Sequence, residues 1–264
     1  MRLRRRAGAK LEGLLFSSRP TWNVVPPSVA TNFVENLFFA LSLLEREGFV
    51  VMAHFGTLLG ALRYGGMLPW DEDADLYVVR GTPDEIRART RGLFTAHGLA
   101  LLDDPRGFFW IRQRPWLAGQ GHIGLEHFPE RAPGAPRPDH PSDPCVAEDE
   151  LLPLARYPFH GSWVWGPRDA EAVVQRLYGE TARPAALARF RAPEIDPEAR
   201  AFWRRARGTP EAPTLDWPAI SSRFLERARR GPLAHAGVFP WWWWNGAYNI
   251  GIKRLRALGA RLSR

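Results

Sequence analysis

Phe33, Leu37, Leu41 and Leu44 recur at three- and four-residue intervals, which predicts a helix over 29–46 with one face in the core. Ser28 is its expected N-cap, and Gly48 ends it. The apolar run 49–55 then reads as a buried strand leading into a Gly56-Thr57 turn and a short apolar helix. A second glycine turn follows at Gly65-Gly66, and then acids alternate with other residues at Asp71, Asp73 and Asp75 before Leu76-Tyr77-Val78-Val79. That last stretch reads as a strand. On a strand Asp73 and Asp75 share one face, with Ala74 and Leu76 on the other.

Downstream, Thr82-Pro83-Asp84-Glu85 is a strong helix start, and Gly98 closes that helix near His97. Segments 107–113 and 122–128 read as two further strands of a mixed sheet, and 155–166 as a hairpin turning near Gly161. Residues 169–178 form a short helix with Val173, Val174 and Leu177 inward, and helices are expected near 197–207 and 217–230. Residues 129–149 carry six prolines in a long loop directly after the strand with Glu126, placed to cover an acceptor. Phe239-Pro-Trp-Trp-Trp-Trp-Asn245 cannot bury all four indoles on one face. The final stretch 250–264 sets Ile252, Leu255, Leu258 and Leu262 among basic residues, an amphipathic basic helix. The expected organisation is a basic arm over 1–27, a catalytic domain over 28–180 and a helical extension over 181–264.

The chemistry gathers at the acids. Two carboxylates held close repel unless a cation lies between them. A hard divalent cation such as magnesium, or manganese, takes one or two carboxylates and completes its shell with substrate phosphates. Asp73 and Asp75 are therefore the expected metal ligands, with Asp71 in support. Acidic pairs at loop–strand junctions are most often solvated, so the surroundings decide. Gly56 and Thr57 offer close backbone approach and a helix N-terminus to a phosphate. Arg63 offers a bidentate clamp for phosphate, or a salt bridge to a nearby aspartate. Glu126 shares a strand face with Gly124 and Phe128, where it completes a carboxylate triad as third ligand or as base for an acceptor hydroxyl. His54, ahead of the turn, is more often structural than catalytic at such a place.

Gly56-Thr-Leu-Leu-Gly-Ala-Leu-Arg63 followed by Pro69-Trp-Asp-Glu-Asp-Ala-Asp75 resembles the LicD family, which includes bacterial phosphocholine transferases and fukutin-type phosphoribitol transferases. Weaker similarities follow in order at 122–129, 151–154, 159–161, 164–167 and 177–179. The chain departs from the family pattern at Tyr64, where a His is common, and at Glu126, where an Asp is usual. The resemblance implies an α/β nucleotidyltransferase-like fold, a mixed central sheet flanked by helices with a C-terminal helical extension. It also implies metal-dependent transfer of a phospho-alcohol group, phosphocholine first, from CDP-choline or CDP-ribitol to a hydroxyl of a glycan or glycolipid. Competing readings are a metal-dependent glycosyltransferase using a nucleotide sugar, a nucleotidyltransferase releasing pyrophosphate, and a non-catalytic glycan- or membrane-binding protein on the same core.

Charge and cysteine content narrow the partners. The net charge is +8 over 264 residues, but residues 1–19 carry +5 and 250–264 carry +5, leaving −2 for the middle. That distribution argues against nucleic acid and for tails that are solvated or touch an anionic membrane surface. The lone Cys145 excludes an intramolecular disulfide and a cysteine-based zinc cluster. With no apolar run of about 20 residues and no adequate signal-peptide core, a cytoplasmic, peripherally membrane-associated protein is expected.

Overall fold

The computed structural model describes residues 25–105, 107–113, 122–127, 151–182, 191–208 and 215–229. The arm over 1–24, the proline-rich loop, the tryptophan run and the basic tail lie outside the described residues. Helix α1 (Pro27–Arg46) begins earlier than expected: Pro26 is the N-cap and Pro27 takes the first helical position, where its fixed φ is pre-organised and its missing N–H costs nothing. Helix α1 is buried nearly all round, from Val29 to Leu44. It is the spine of the core, with the sheet on one side and later helices on the other.

Strand β1 (Val50–His54) runs directly into helix α2 (Phe55–Tyr64), so Gly56 and Thr57 lie in the first helical turn rather than in a separate loop. Strand β2 (Asp73–Arg80) carries the acids, and helix α3 (Pro83–Ala96) starts with the expected capping box between Thr82 and Glu85. Strands β3 (Leu99–Asp103), β4 (Phe109–Gln113) and β5 (His122–His127) complete the main sheet. Strand β3 was not among the expected elements. It is fixed by antiparallel pairing with β4 and by burial of Leu99, Ala100 and Leu101.

The sheet order is β1-β2-β5-β4-β3. Strands β2 and β5 are parallel and the other neighbours antiparallel, so the sheet is mixed. One face, with Ala53, Ala74, Leu76, Val78, Ile123 and Leu125, packs into the main core. Ala74 and Leu76 are fully buried, so the aspartates between them face the opposite side. There a smaller cluster of Met52, Tyr77 and Leu151 begins where the acids end.

Strands β6 (Ala155–Phe159) and β7 (Ser162–Gly166) form the expected hairpin, turning at His160-Gly161. Helix α4 (Ala170–Tyr178) is capped by Asp169 and runs into a 3-10 turn (Gly179–Ala182). Helices α5 (Pro197–Ala206) and α6 (Trp217–Arg229) pack on α1. Phe39 stacks on Phe224 at 3.9 Å and Phe38 on Trp203 at 5.0 Å. A buried network in which Arg227 and Arg223 donate to Glu35, and Arg227 also to Asn36, locks α6 to α1.

Candidate active site

Strand register assembles the site. Asp73 lies opposite His122, Asp75 opposite Gly124 and Tyr77 opposite Glu126 on the parallel β2–β5 pair, while His54 lies opposite Asp75 on β1. Asp73 and Asp75 on β2 and Glu126 on the adjacent β5 thus share one face of the sheet. Gly124 leaves room at the centre: a Cβ there would sit 3.2 Å from an Asp75 carboxylate oxygen and 3.5 Å from Trp110. Trp110 forms a wall beside the acids, fixed by its Nε1 donating to Asp104 at 2.8 Å and by an edge contact with His122 at 4.5 Å.

Helix α2 grips Asp75 from its N-terminus. The Asp75 backbone N–H donates to Thr57 Oγ1 at 2.9 Å, and the Gly56 N–H donates to the Asp75 carboxylate. Gly56 is required by close approach, because a Cβ there would collide with the Asp71 carboxylate. The strand turns into this helix through Phe55, whose φ of 40° is unusual for a bulky residue and the kind of strain that gathers at functional sites. Gly56 and Thr57 therefore hold a carboxylate in this structure, and any phosphate they receive arrives beside it.

The carboxylates crowd one another. Burial, then the charges of Asp73 and Glu126, push Asp75 up to about 8. Burial, then the charge and hydrogen bond of Asp73, hold Asp71 well above the usual carboxylate range. Among the described residues Asp71, Asp73 and Asp75 form no ion pair with Arg or Lys, and His122 Nε2 stands 3.5 Å from Asp73. Burial lowers the His122 pKa, opposed by Asp73, so that imidazole is a weak source of positive charge.

Asp73 and Asp75 are the residues that would hold a divalent cation, whose charge would offset this crowding. No group of three His, Cys, Asp or Glu side chains among the described residues stands ready to hold a metal. The fit is that of a two-carboxylate site completed by oxygens of a substrate.

Arg63 does not face the acids. Its guanidinium pairs with Glu171 at 2.7 and 2.5 Å, and its Nε donates to the Ala182 carbonyl at 2.7 Å. Its ion-pair partner is thus Glu171 and not a nearby aspartate, one of its two expected partners. Arg63 instead ties α2 to α4 and to the 3-10 turn. That tie delivers Tyr178, a residue with no expected role. Burial and the charges of Asp71, Asp75 and Asp73 raise its pKa, which keeps a phenolic O–H beside the acids.

His54 is buried, and neither ring nitrogen has a hydrogen-bond partner. Burial lowers its pKa to about 3, so it is neutral, and it lies edge-on to Tyr77 at 5.2 Å.

His160 is a second residue to which the sequence assigns no role. Its Nε2 accepts from the buried Met67 N–H at 2.9 Å, and its own N–H donates to the Gly65 carbonyl at 2.6 Å. A Cβ on Gly66 would run into the ring. His160 thereby fastens the turn that leads through Pro69-Trp70 to Asp71. Burial and Arg200 lower its pKa to about 4, so it remains an acceptor at neutral pH. His160→Ala leaves the Met67 N–H buried without a partner. The expected loss is about 1–3 kcal/mol, read from urea midpoints at unchanged slope. His160→Gln, which keeps an acceptor, should recover part of it. A loss below about 0.5 kcal/mol, the range of neutral surface changes, would mean that the turn is held elsewhere.

Residues 48–122 match the family model described as LicD/FKTN/FKRP, nucleotidyltransferase domain. This segment resembles the LicD family. It spans β1 to the first residue of β5 and includes Gly56, Thr57, Arg63, Asp71, Asp73 and Asp75, with Glu126 just beyond its end. The mouse and human proteins named ribitol 5-phosphate transferase FKRP are each 25% identical over 168 residues, 58% of this chain and 32% of theirs. The alignment thus spans about a third of the length of these relatives. The mixed sheet flanked by helices agrees with the nucleotidyltransferase-like fold that the LicD resemblance implies.

Proposed function

We propose that this LicD-family protein transfers a phospho-alcohol group from a CDP-activated alcohol to a hydroxyl of a glycan or glycolipid. The observation that carries the reading is the pair Asp73 and Asp75 on a central strand, gripped by Gly56 and Thr57 and flanked by Glu126, within a LicD nucleotidyltransferase domain. The relatives are ribitol 5-phosphate transferases by name, which favours ribitol phosphate over phosphocholine as the group transferred.

In this reading a magnesium or manganese ion between Asp73 and Asp75 would offset their repulsion and the charge on the donor diphosphate. The N-terminus of α2 faces the same point and favours negative charge there. The Tyr178 phenol, kept protonated beside the acids, offers a hydrogen-bond donor to the bound group. Glu126 takes the proton of the acceptor hydroxyl as that oxygen bonds to the phosphorus bearing the alcohol. The bond from that phosphorus to the bridging oxygen breaks, and CMP leaves. Asp71, held by the His160-fastened turn, orients Asp73 through their mutual hydrogen bond.

Thermal unfolding with magnesium or manganese and CDP-ribitol, CDP-choline, CDP-glycerol, a UDP-sugar or CTP tests this, with Asp73→Asn beside the wild type. A ligand at about 100 times its Kd adds about 2.7 kcal/mol, on the order of 5–10 °C for a domain of this size. Cation-dependent stabilisation by one CDP-alcohol, lost in the variant, is the expected result. Stabilisation by the UDP-sugar would transfer the reading to glycosyl transfer. Pyrophosphate release from CTP would make the protein a nucleotidyltransferase.

No described helix is long and apolar enough to cross a membrane. Membrane contact through the tails remains part of the proposal.

A further inference from the structure

We propose that a groove at the far end of the acid-bearing sheet face binds the apolar chain of an anionic single-chain amphiphile, taken up as a monomer. The groove lies between the first residues of β1, the last residues of β2, the segment 152–154 entering β6, and Trp165 of β7. Its volume is about 570 Å³, within the roughly 300–1,000 Å³ of small-molecule sites. Phe49, Val50, Val79, Leu152, Leu154 and Trp165 supply most of its wall. No Ser, Thr, Asn, Gln or Asp side chain is among its described lining, so a sugar would find little to hydrogen-bond.

Two charged groups reach it, and they are not equivalent. Glu45 accepts from Arg207 at 3.1 Å, so its charge is matched. The Arg80 side chain is exposed and makes no hydrogen bond or ion pair with any described residue. An unmatched cation on the rim of an otherwise apolar groove selects a ligand with a chain at one end and an anion at the other.

The walls are held from behind. The Trp165 indole is braced by the Arg156 guanidinium at 4.7 Å and by Trp163 at 5.0 Å. Phe49 is braced by Arg89 at 5.1 Å, and Gly81 leaves room for its ring. A register shift between Val50 and Val51 against β2 marks a bulge at the groove floor, a device that re-aims side chains. Val50 is 36% exposed there, one of two large hydrophobic side chains so exposed among the described residues.

The groove is separate from the acids but on their face. Val79, Leu152, Leu154 and Trp165 pack on the Met52–Tyr77–Leu151 cluster, and Tyr77 is two residues past Asp75. Arg80 lies five residues past Asp75, about 17 Å along an extended strand. The inference does not depend on the proposed reaction.

Calorimetric titration of the full chain with hexyl, octyl and decyl phosphate, each below its micelle concentration and without divalent cations, tests it. Burial of each added methylene should tighten binding about fourfold until the groove is full. Arg80→Ala should weaken octyl phosphate severalfold and bring it to the level of octanol. Val50→Glu, at an exposed position, should weaken it tenfold or more while thermal unfolding stays cooperative. An affinity independent of chain length, or unchanged in both variants, would overturn the proposal. So would binding to anionic phosphatidylglycerol vesicles without binding to the monomers. Stabilisation by a CDP-alcohol should be the same in Val50→Glu and wild type, so this failure and that of the proposed reaction are distinguishable.

Discussion

Asp75→Asn is expected to melt at a higher temperature than the wild type at pH 9 without divalent cations, and to lose transfer activity by about a thousandfold or more. Both effects arise from the same crowding. The folded protein holds the Asp75 proton up to about pH 8, whereas a free carboxyl releases it near its ordinary value of 3.8. The folded state therefore binds more protons than the unfolded state between those values. The linked stability is fully present below about pH 4, declines as pH rises, and is lost once pH passes about 8. Asparagine has no proton to lose and escapes the decline. The gain is on the order of a few kcal/mol, several degrees in melting temperature. Differential scanning calorimetry of both proteins at pH 5 and pH 9 reads it directly. A variant that melts below the wild type at pH 9 would mean that the ionised carboxylate is well accommodated, and the case for a cation held by Asp75 would collapse.

Cation affinity is expected to rise with pH up to about 8 and then level off. A divalent ion must displace the proton that Asp75 keeps at neutral pH. With one proton released per ion, the apparent Kd for magnesium or manganese falls up to tenfold for each pH unit between about 6 and 8. Titration calorimetry in two buffers of different ionisation heat counts the proton, and Asp75→Asn should abolish the release. A flat profile from pH 6 to pH 8 would remove Asp75 from the ligands.

The acid-bearing strand is legible in the sequence because its signal is local. Alternation places Asp73 and Asp75 on one face, and Ala74 and Leu76 are buried as that alternation requires. The spacing of Phe33, Leu37 and Leu41 and the Thr82–Glu85 capping box are local in the same sense, and both helices are found. The parts that escape are those fixed by partners far along the chain. Arg63 reads as a phosphate clamp until Glu171 is brought to it by α4. His160 and Tyr178 fall in the weak similarities at 159–161 and 177–179, which assign no chemistry, and each takes its place from a tertiary contact with the Asp71 turn or the acids. Strand β3 fails for a related reason, since pairing with β4 rather than its own sequence makes it a strand. The contact of Gly56 and Thr57 with Asp75 is likewise not legible, because it needs the helix and the strand brought together.

The parallel pairing of β2 with β5 has a consequence for how the protein comes into being. The two strands are neighbours in space, yet α3, β3 and β4 lie between them in the chain. Closing so long a connection is entropically costly and tends to come late in folding, after the local helices and hairpins have formed. A ribosome that has released β1, α2 and β2 has exposed both aspartates but not the glutamate that stands beside them. Assembly of the carboxylate face is then expected to coincide with the slow phase of folding, and chains stalled before β5 docks carry the motif without its geometry.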